Sequence, residues 1–367
     1  MATERRSEAI WIETRERWQI KVQKNGDRKC FTSKIPGRKG KHDAEAQADA
    51  WLKERTRDMR FPAAWQLFLE DQQDRTGSAN YAKHESYGRL YLLPVIGNKK
   101  LSSLTPTLWQ SCINAAAKHG LARRSLKNII SSISAFLHFA KRARLDVEQL
   151  EDGDVTIPQS AEPEKPKTIL QPEHVRTLFR DDTIIKYGKP VRAHYIYAWR
   201  FFVLTGLRRG ELCGLKWADV HGNQIHIARS INAFGEETHG KNDNARRTII
   251  LAPIMFETLD AQRQHLKDLG LVSPWVFPDE YGERSVPKSI ADRWATYCNQ
   301  HGFKTTIHEL RHTFISLNKS DLPLELMKSV VGHSTSMDTY GVYGHDVDGD
   351  SARAASIIET VFDRILE

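Results

Sequence analysis

A short segment late in the chain concentrates side chains that can do chemistry. It reads His308-Glu309-Leu310-Arg311-His312. In form this is the HExxH zinc helix, in which two histidines bind the metal and the glutamate acts as a base, although no third ligand follows at a spacing known for such sites. Alternatively, His308 and Arg311 lie on one helix face and two donors meet one anion. An ordinary helix surface is a third interpretation, which the apolar flanking sequence disfavours.

Another arginine stands at a predicted element boundary. Residues 204–220 read LTGLRRGELCGLKWADV, an apolar helix that ends at a Thr-Gly turn before Arg208 and Glu211. A guanidinium beside a turn can clamp a phosphate or carboxylate with two hydrogen bonds, and it does not deprotonate. Glu211 could orient that guanidinium. The alternative is an Arg–Glu pair with a structural role only.

A third segment, residues 331–345, carries His333, Tyr340 and Tyr343. His333 follows a glycine that is predicted to end a helix. A tyrosine in such a segment is more often a packing residue than a nucleophile, so this segment alone specifies no chemistry.

In this order, however, the three segments closely resemble the tyrosine recombinase (phage-type integrase) family, whose pattern is Arg…Lys…His-x-x-Arg…His/Trp…Tyr. Residues 205–212 (TGLRRGEL) match the first arginine box and residues 308–313 (HELRHT) the second. Residues 332–334 (GHS) and 342–345 (VYGH) match the third. The resemblance to the family's catalytic domain covers about residues 168–348.

The resemblance implies how DNA would be cut without metal, water, ATP or any cofactor. Such a cut needs a nucleophile, neutralisation of the phosphoryl oxygens and an acid for the departing 5′ oxygen. Tyr343 would attack and form a 3′-phosphotyrosyl link that preserves the bond energy. Tyr340 is the rival nucleophile, but Tyr343 is followed by Gly-His and stands ten residues after His333, a separation that suits the family.

The same resemblance assigns the phosphate-binding groups. Arg208 and Arg311 would clamp the non-bridging oxygens, with Glu211 orienting Arg208. His308 would assist proton removal or bind the phosphate, and His333 would donate a hydrogen bond to it.

Lys241 resembles the family's general acid. The family often shows Lys-Thr-x-x-Ser-x-Arg, whereas this chain has KNDNARR over residues 241–247, which keeps the lysine and the arginine six positions later. Strands are predicted at residues 224–229 and 247–251, so that Lys241 would lie on the hairpin between them.

The first segment of the chain is basic and strand-forming. Between residues 14 and 42, ten lysines and arginines stand against two acidic residues. Alternating apolar residues and an Asn25-Gly26 turn predict a small antiparallel sheet, covered by a helix from about His42. The uncovered face would present basic residues, among them Lys21, Lys24 and Lys29. Nucleic acid is the simplest partner, with anionic lipid or a solvated face as alternatives.

The next segment is predicted to be wholly helical. Its helices are expected at residues 61–76, 79–92, 105–118 and 123–142. Three basic residues, Arg123, Arg124 and Lys127, cluster where the last helix begins, either to grip DNA phosphate or to act as a solubilising cap. By resemblance, this segment is the core-binding domain, and the basic sheet with its helix is an arm-site-binding domain.

The predicted fold is therefore multidomain. It combines a small N-terminal β-sheet plus helix, an all-α core-binding domain, and a mainly α catalytic domain with a small antiparallel sheet. The expected bounds are residues 1–56, 57–155 and 168–367, with a proline-rich linker at 156–167.

A C-terminal amphipathic helix is predicted from Ile357, Ile358, Val361, Phe362, Ile365 and Leu366. Its apolar stripe either packs on its own domain or docks on a neighbouring protomer. The resemblance favours docking, which would couple active sites in a homotetramer on core and arm attachment sites in double-stranded DNA. A directionality factor is a further possible partner.

Composition excludes several other classes of protein. The 367 residues have four cysteines without a C-x-x-C pair, which fits a reducing cytoplasm, and no apolar run long enough for a signal peptide or membrane span. A zinc metallopeptidase and a catalytically inert DNA-binding regulator remain as alternative functions. A type IB topoisomerase shares the nucleophile chemistry, but the basic N-terminal segment favours an integrase.

Overall fold

The computed structural model describes residues 8–24, 27–53, 58–164, 166–238, 246–332 and 349–367. The chain forms two compact units, Met1–Glu164 and Lys165–Glu367. Helices dominate both, and each sheet has two or three antiparallel strands. Among the described helices, none is both long and apolar enough to cross a membrane.

The first unit begins with a three-stranded sheet and a helix. Its elements are β1 (Ile10–Ile12), β2 (Arg17–Lys24), β3 (Asp27–Ser33) and α1 (Gly37–Lys53). Ile20 and Val22 of β2 are buried with Ala44 and Ala48 of α1, as the alternating pattern requires. The helix starts five residues before the predicted His42, because its first turn is polar and carries no apolar signal. Asn25 and Gly26 lie outside the described residues.

The rest of this unit is a helical bundle around an aromatic core. Its helices are α2 (Phe61–Arg75), α3 (Ser78–Tyr87), α4 (Leu93–Ile96), α5 (Pro106–Lys118) and α6 (Arg123–Arg142). Three of the four predicted helices are confirmed to within one residue. The predicted helix 79–92 changes to a π-helical turn at Gly88–Leu92, where the Gly88 backbone presses on the indole of Trp65 and leaves no room for a Cβ. Residues 156–164, assigned above to the linker, contact this bundle, and Ala161 is buried in it.

His84 gives the bundle a pH dependence that can be measured. Its ring is 3% exposed and lies 5.1 Å from that of Phe68, and burial lowers its pKa to about 4. Because protonation is easier in the unfolded chain, this contribution to stability is complete above pH 6.5 and is lost as the pH falls towards 4. We expect the free energy of unfolding to fall by about 2 kcal/mol between about pH 7.5 and about pH 5. Urea titrations of wild type and His84→Leu should differ in this slope, and equal slopes would contradict the assignment.

The second unit is built around the buried helix α8. It contains α7 (Pro172–Arg180), β4 (Thr183–Lys186), β5 (Lys189–Arg192), α8 (Ile196–Thr205), α9 (Arg209–Gly214), β6 (Val220–His221), β7 (Gln224–Ile227), β8 (Ser230–Ile231), β9 (Glu237–Thr238), β10 (Arg247–Ile250), α10 (Pro253–Asp268), α11 (Pro287–His301), α12 (Glu309–Asn318), α13 (Leu324–Val331) and α14 (Asp350–Leu366). Helices α10 and α12 pack on α8, eight of whose ten residues are buried. Strand β10 pairs with β7, so the two strands predicted to flank Lys241 are neighbours in one sheet.

The C-terminal helix α14 packs on its own unit. Its stripe, Ile358, Val361, Phe362 and Ile365, is buried in the same core cluster as α8, and Glu359 accepts a hydrogen bond from the Ile254 amide (3.0 Å). In this single chain the stripe therefore covers its own unit, and docking on a neighbouring protomer stays a prediction. Amphipathicity indicates that a helix has a covered face, but it does not indicate which surface covers it.

Truncating one side chain of this stripe should destabilise the second unit. Phe362→Ala removes a fully buried ring from a packed core, and we expect a loss of about 3–5 kcal/mol in unfolding free energy. The exposed Ser356→Ala on the same helix is the matched control and should change little. Urea unfolding of both variants tests the assignment, and a Phe362→Ala protein as stable as the control would show that the ring is not core.

Candidate active site

Arg208 is held where two helices meet. Helix α8 ends at Gly206, whose φ of 61° is left-handed and whose Cα faces the ring of Phe314 so closely that a Cβ would clash. Two residues later, Arg208 is the N-cap of α9, and its side chain is 38% exposed. The turn thus presents a guanidinium at the surface of the unit, at the element boundary that the sequence predicted.

Glu211 holds the guanidinium of Arg208 through hydrogen bonds. Its carboxylate accepts hydrogen bonds from the Arg208 amide (2.8 Å) and Arg208 Nη1 (2.8 Å). It also accepts two from Arg247, at 3.1 and 3.0 Å. Burial would raise the pKa of Glu211, but the hydrogen bonds and charge of Arg247, together with the Arg208 bonds, outweigh burial and hold the pKa below its usual value. Glu211 is therefore ionised and hydrogen-bonded to Arg208, and its role in orienting that residue for catalysis stays a prediction.

Arg311 is almost fully buried, and its charge is repelled by that of Arg208. It is 4% exposed, and its Nη1 donates to the carbonyl of Gly206 (2.7 Å), the residue that ends α8. Burial, followed by repulsion from Arg208, lowers its pKa to about 10. Arg311 thus stays charged at neutral pH at an energetic cost that a bound anion would offset.

His308 is the N-cap of α12, three residues before Arg311. Burial, then the neighbouring His312 and Arg311, lowers its pKa, so its imidazole is neutral at pH 7. A neutral imidazole can accept a proton or bind a phosphate oxygen through its N–H group. The residue therefore suits both roles that the resemblance assigned to it.

The zinc alternative has little support in the described part of the chain. The Glu309 carboxylate accepts the backbone N–H groups of Thr306 (2.5 Å) and Thr168 (3.0 Å), so it anchors the start of α12 instead of facing a metal. Within the described ranges, no group of three or more His, Cys, Asp or Glu side chains is placed to hold a metal ion.

The end of α13 accepts hydrogen bonds from Arg208 and Arg247. Arg208 Nη2 donates to the carbonyl of Gly332 (2.6 Å), and Arg247 Nε donates to that of Val330 (2.7 Å). Gly332 ends the helix with a φ of 68° and directly precedes His333 in the chain. His333, Tyr340, Tyr343 and Lys241 all lie outside the described residues, so their roles remain predictions from sequence.

Arg247 forms hydrogen bonds with Glu211, although the sequence pattern predicted no role for it. It is the arginine six positions after Lys241, and its retention there was the one available signal. Its contact with Glu211 spans 36 residues of sequence, so no local pattern indicates it.

The predicted DNA-binding residues occupy different surroundings. Arg123, Arg124 and Lys127 are exposed at the start of α6, although the Arg123 amide already donates to Glu162 (2.9 Å). Lys21 is exposed and alternates with Ile20 and Val22, so it lies on the sheet face away from α1. Lys29 instead pairs with Val22 on the helix side, with its ammonium 5.4 Å from the ring centroid of Phe31. The Lys24 side chain is not described.

The second unit thus contains two guanidinium groups whose charges repel each other and a neutral imidazole beside one of them. Groups of these kinds can bind a phosphate. Residues 169–349 match the model of the phage integrase family. The chain is 24% identical over 314 residues to a tyrosine recombinase XerC-like protein of Caldanaerobacter subterraneus subsp. tengcongensis, covering 77% of this chain and 78% of the relative.

Solved structures show the same fold. A Tn1549 transposon integrase in complex with transposon right end DNA aligns with a TM-score of 0.62 and 20% identity over 79% of this chain and 97% of that one. A lambda integrase tetramer bound to a Holliday junction aligns with a TM-score of 0.57 and 16% identity over 92% and 96%. Residues 169–349 therefore form a phage integrase family domain, and the relatives of the chain include tyrosine recombinases.

Proposed function

We propose that this protein recombines DNA at specific sites through a 3′-phosphotyrosyl intermediate formed by Tyr343. The observation that supports it best is the placement of Arg208 and Arg311, which come from distant parts of the sequence and meet around Gly206. Two rigid cationic donors at one point match the charge that develops on a phosphoryl group in transfer.

Each proposed site residue has a separate role in the cleavage step. The Tyr343 oxygen attacks the scissile phosphorus, and its proton passes to the neutral imidazole of His308. The bond from phosphorus to the 5′ oxygen breaks, and that oxygen takes a proton from Lys241. Arg208, Arg311 and His333 bind the non-bridging oxygens throughout. The reverse sequence, with a different 5′ hydroxyl as attacking group, rejoins the strands and uses neither ATP nor metal.

The substrate would be double-stranded DNA with core and arm attachment sites. In this proposal residues 57–155 bind the core site, with Arg123, Arg124 and Lys127 on phosphates, and residues 168–367 cut it. Residues 1–56 bind the arm site through the face that bears Lys21. A lambda integrase structure is a tetramer on a Holliday junction, and the likeness supports a homotetramer here. A directionality factor and an origin in a mobile element are parts of the same proposal.

Covalent linkage to DNA tests the function. Direct repeats bounding a mobile element around the gene would supply the DNA, cut into short duplexes that carry a nick near each candidate site. The expected result is a protein–DNA adduct that survives detergent and forms equally well in excess chelator. An adduct that requires a divalent metal, or binding to these duplexes without any adduct, would overturn the proposal in favour of the inert regulator or a different chemistry.

Removing residues 1–55 tests the division between arm and core sites. We expect the truncated protein to lose one of two footprints and to keep adduct formation at the core site, because Arg208 and Arg311 belong to the second unit. Footprints of full-length and truncated protein on one long duplex provide the measurement. Loss of core-site binding, with an isolated arm fragment that binds no DNA, would contradict the assignment.

A further inference from the structure

Arg247 joins parts of the second unit that are distant in sequence. Its Nη1 and Nη2 donate to the two carboxylate oxygens of Glu211, at 3.1 and 3.0 Å, and its Nε donates to the carbonyl of Val330 (2.7 Å). The side chain is 8% exposed, and that of Glu211 2%. All three nitrogens of the guanidinium group are therefore engaged away from solvent.

Arg208 also forms hydrogen bonds with both α9 and the end of α13. It shares the Glu211 carboxylate and donates to the carbonyl of Gly332 (2.6 Å), two residues beyond the Arg247 contact. The last turn of α13 is thus tied at two points to one buried carboxylate. Gly332 leads directly to His333, and β10, which begins with Arg247, follows the segment that carries Lys241.

We propose that Arg247 is a positioning residue for strand cleavage. By holding Glu211 to the end of α13, it sets the position of the Arg208 guanidinium relative to Gly332, the residue that precedes His333. Both positions would then suit a single phosphate. This inference rests on the proposed function. A planar fork that makes three directed bonds meets this need, whereas a lysine offers one point charge. Misplacement of catalytic groups by about 1 Å can slow a reaction about 10²-fold.

The test compares Arg247→Lys with a matched control, Arg229→Lys. Arg229 also forms a largely buried fork with a carboxylate, Asp219 (2.5 and 3.1 Å), and donates to the carbonyl of Gly214 (3.0 Å). These partners lie outside α13. Both changes keep the charge and remove one buried fork. Single-turnover adduct formation on a nicked duplex, the dissociation constant for that duplex and the melting midpoint are measured for each full-length protein.

We expect Arg247→Lys to slow adduct formation about 10- to 10²-fold with unchanged DNA affinity, and Arg229→Lys to lower the melting midpoint without slowing cleavage. The double variant Arg208→Lys/Arg247→Lys should lose little more than the worse single variant, because both residues act through Glu211. Wild-type adduct formation in the same assay checks the proposed function separately.

Several outcomes would overturn the positioning role. These are an unchanged rate in Arg247→Lys, a rate loss explained by weaker DNA binding, and an equal loss in Arg229→Lys. Losses that multiply in the double variant would show that Arg247 acts independently of Arg208. An Arg247→Lys chain that does not fold, beside an Arg229→Lys chain that does, would make the residue structural.

Discussion

Replacing Tyr343 by Phe should abolish covalent attachment to DNA and leave DNA affinity unchanged. The substitution removes only the attacking oxygen, without which residue 343 forms no phosphotyrosyl bond. DNA contacts made by the arginines and by the basic surfaces persist. The expected result is a normal mobility shift with no adduct on a nicked duplex.

Tyr340→Phe is the matched control for this experiment. It removes the same atom from the rival tyrosine three residues earlier and should leave adduct formation intact. Peptide mapping of the wild-type adduct would identify the linked residue directly. An adduct in Tyr343→Phe that disappears in Tyr340→Phe would reverse the assignment.

Replacing Arg311 by Met should affect cleavage and stability in opposite directions. The loss of a preorganised donor to the transition state should slow adduct formation by about 10²- to 10³-fold. The charged guanidinium is buried and repelled by Arg208, which lowers its pKa to about 10 and corresponds to a destabilisation on the order of 3 kcal/mol at neutral pH. Met fills most of the same volume without that charge. We therefore expect a melting midpoint at or above that of wild type.

Arg311→Lys is the comparison that isolates the planar fork, since it keeps a charge at the site but cannot bond bidentately. It should cleave faster than Arg311→Met and still more slowly than wild type. Single-turnover adduct formation and thermal melting of the three proteins provide the data. A Met variant that cleaves normally would remove Arg311 from the site, and one that unfolds would show that its bond to Gly206 outweighs the cost of its burial.

Local pattern in the sequence was sufficient for the helical bundle of the first unit. The apolar spacing of residues 123–142 predicts α6 with both of its ends, and that of residues 105–118 predicts α5 to within one residue. Helix formation depends on contacts three and four residues apart, so such patterns carry the information. Likewise, the order of the arginine and histidine boxes was enough to indicate the family that residues 169–349 match.

The tertiary structure decided what depends on distant contacts. The apolar stripe of α14 has the same sequence pattern whether it covers its own unit or a neighbour. Only the packing around Phe362 shows that it covers its own unit in this chain. The strand pattern predicted Lys29 on the uncovered face of the sheet, which is wrong, because pairing with Val22 of β2 puts it on the helix side near Phe31. Arg247 reaches Glu211 across 36 residues, and Arg208 reaches Gly332 across 124. Such contacts arise from the global arrangement of elements, which no periodicity of the local sequence records.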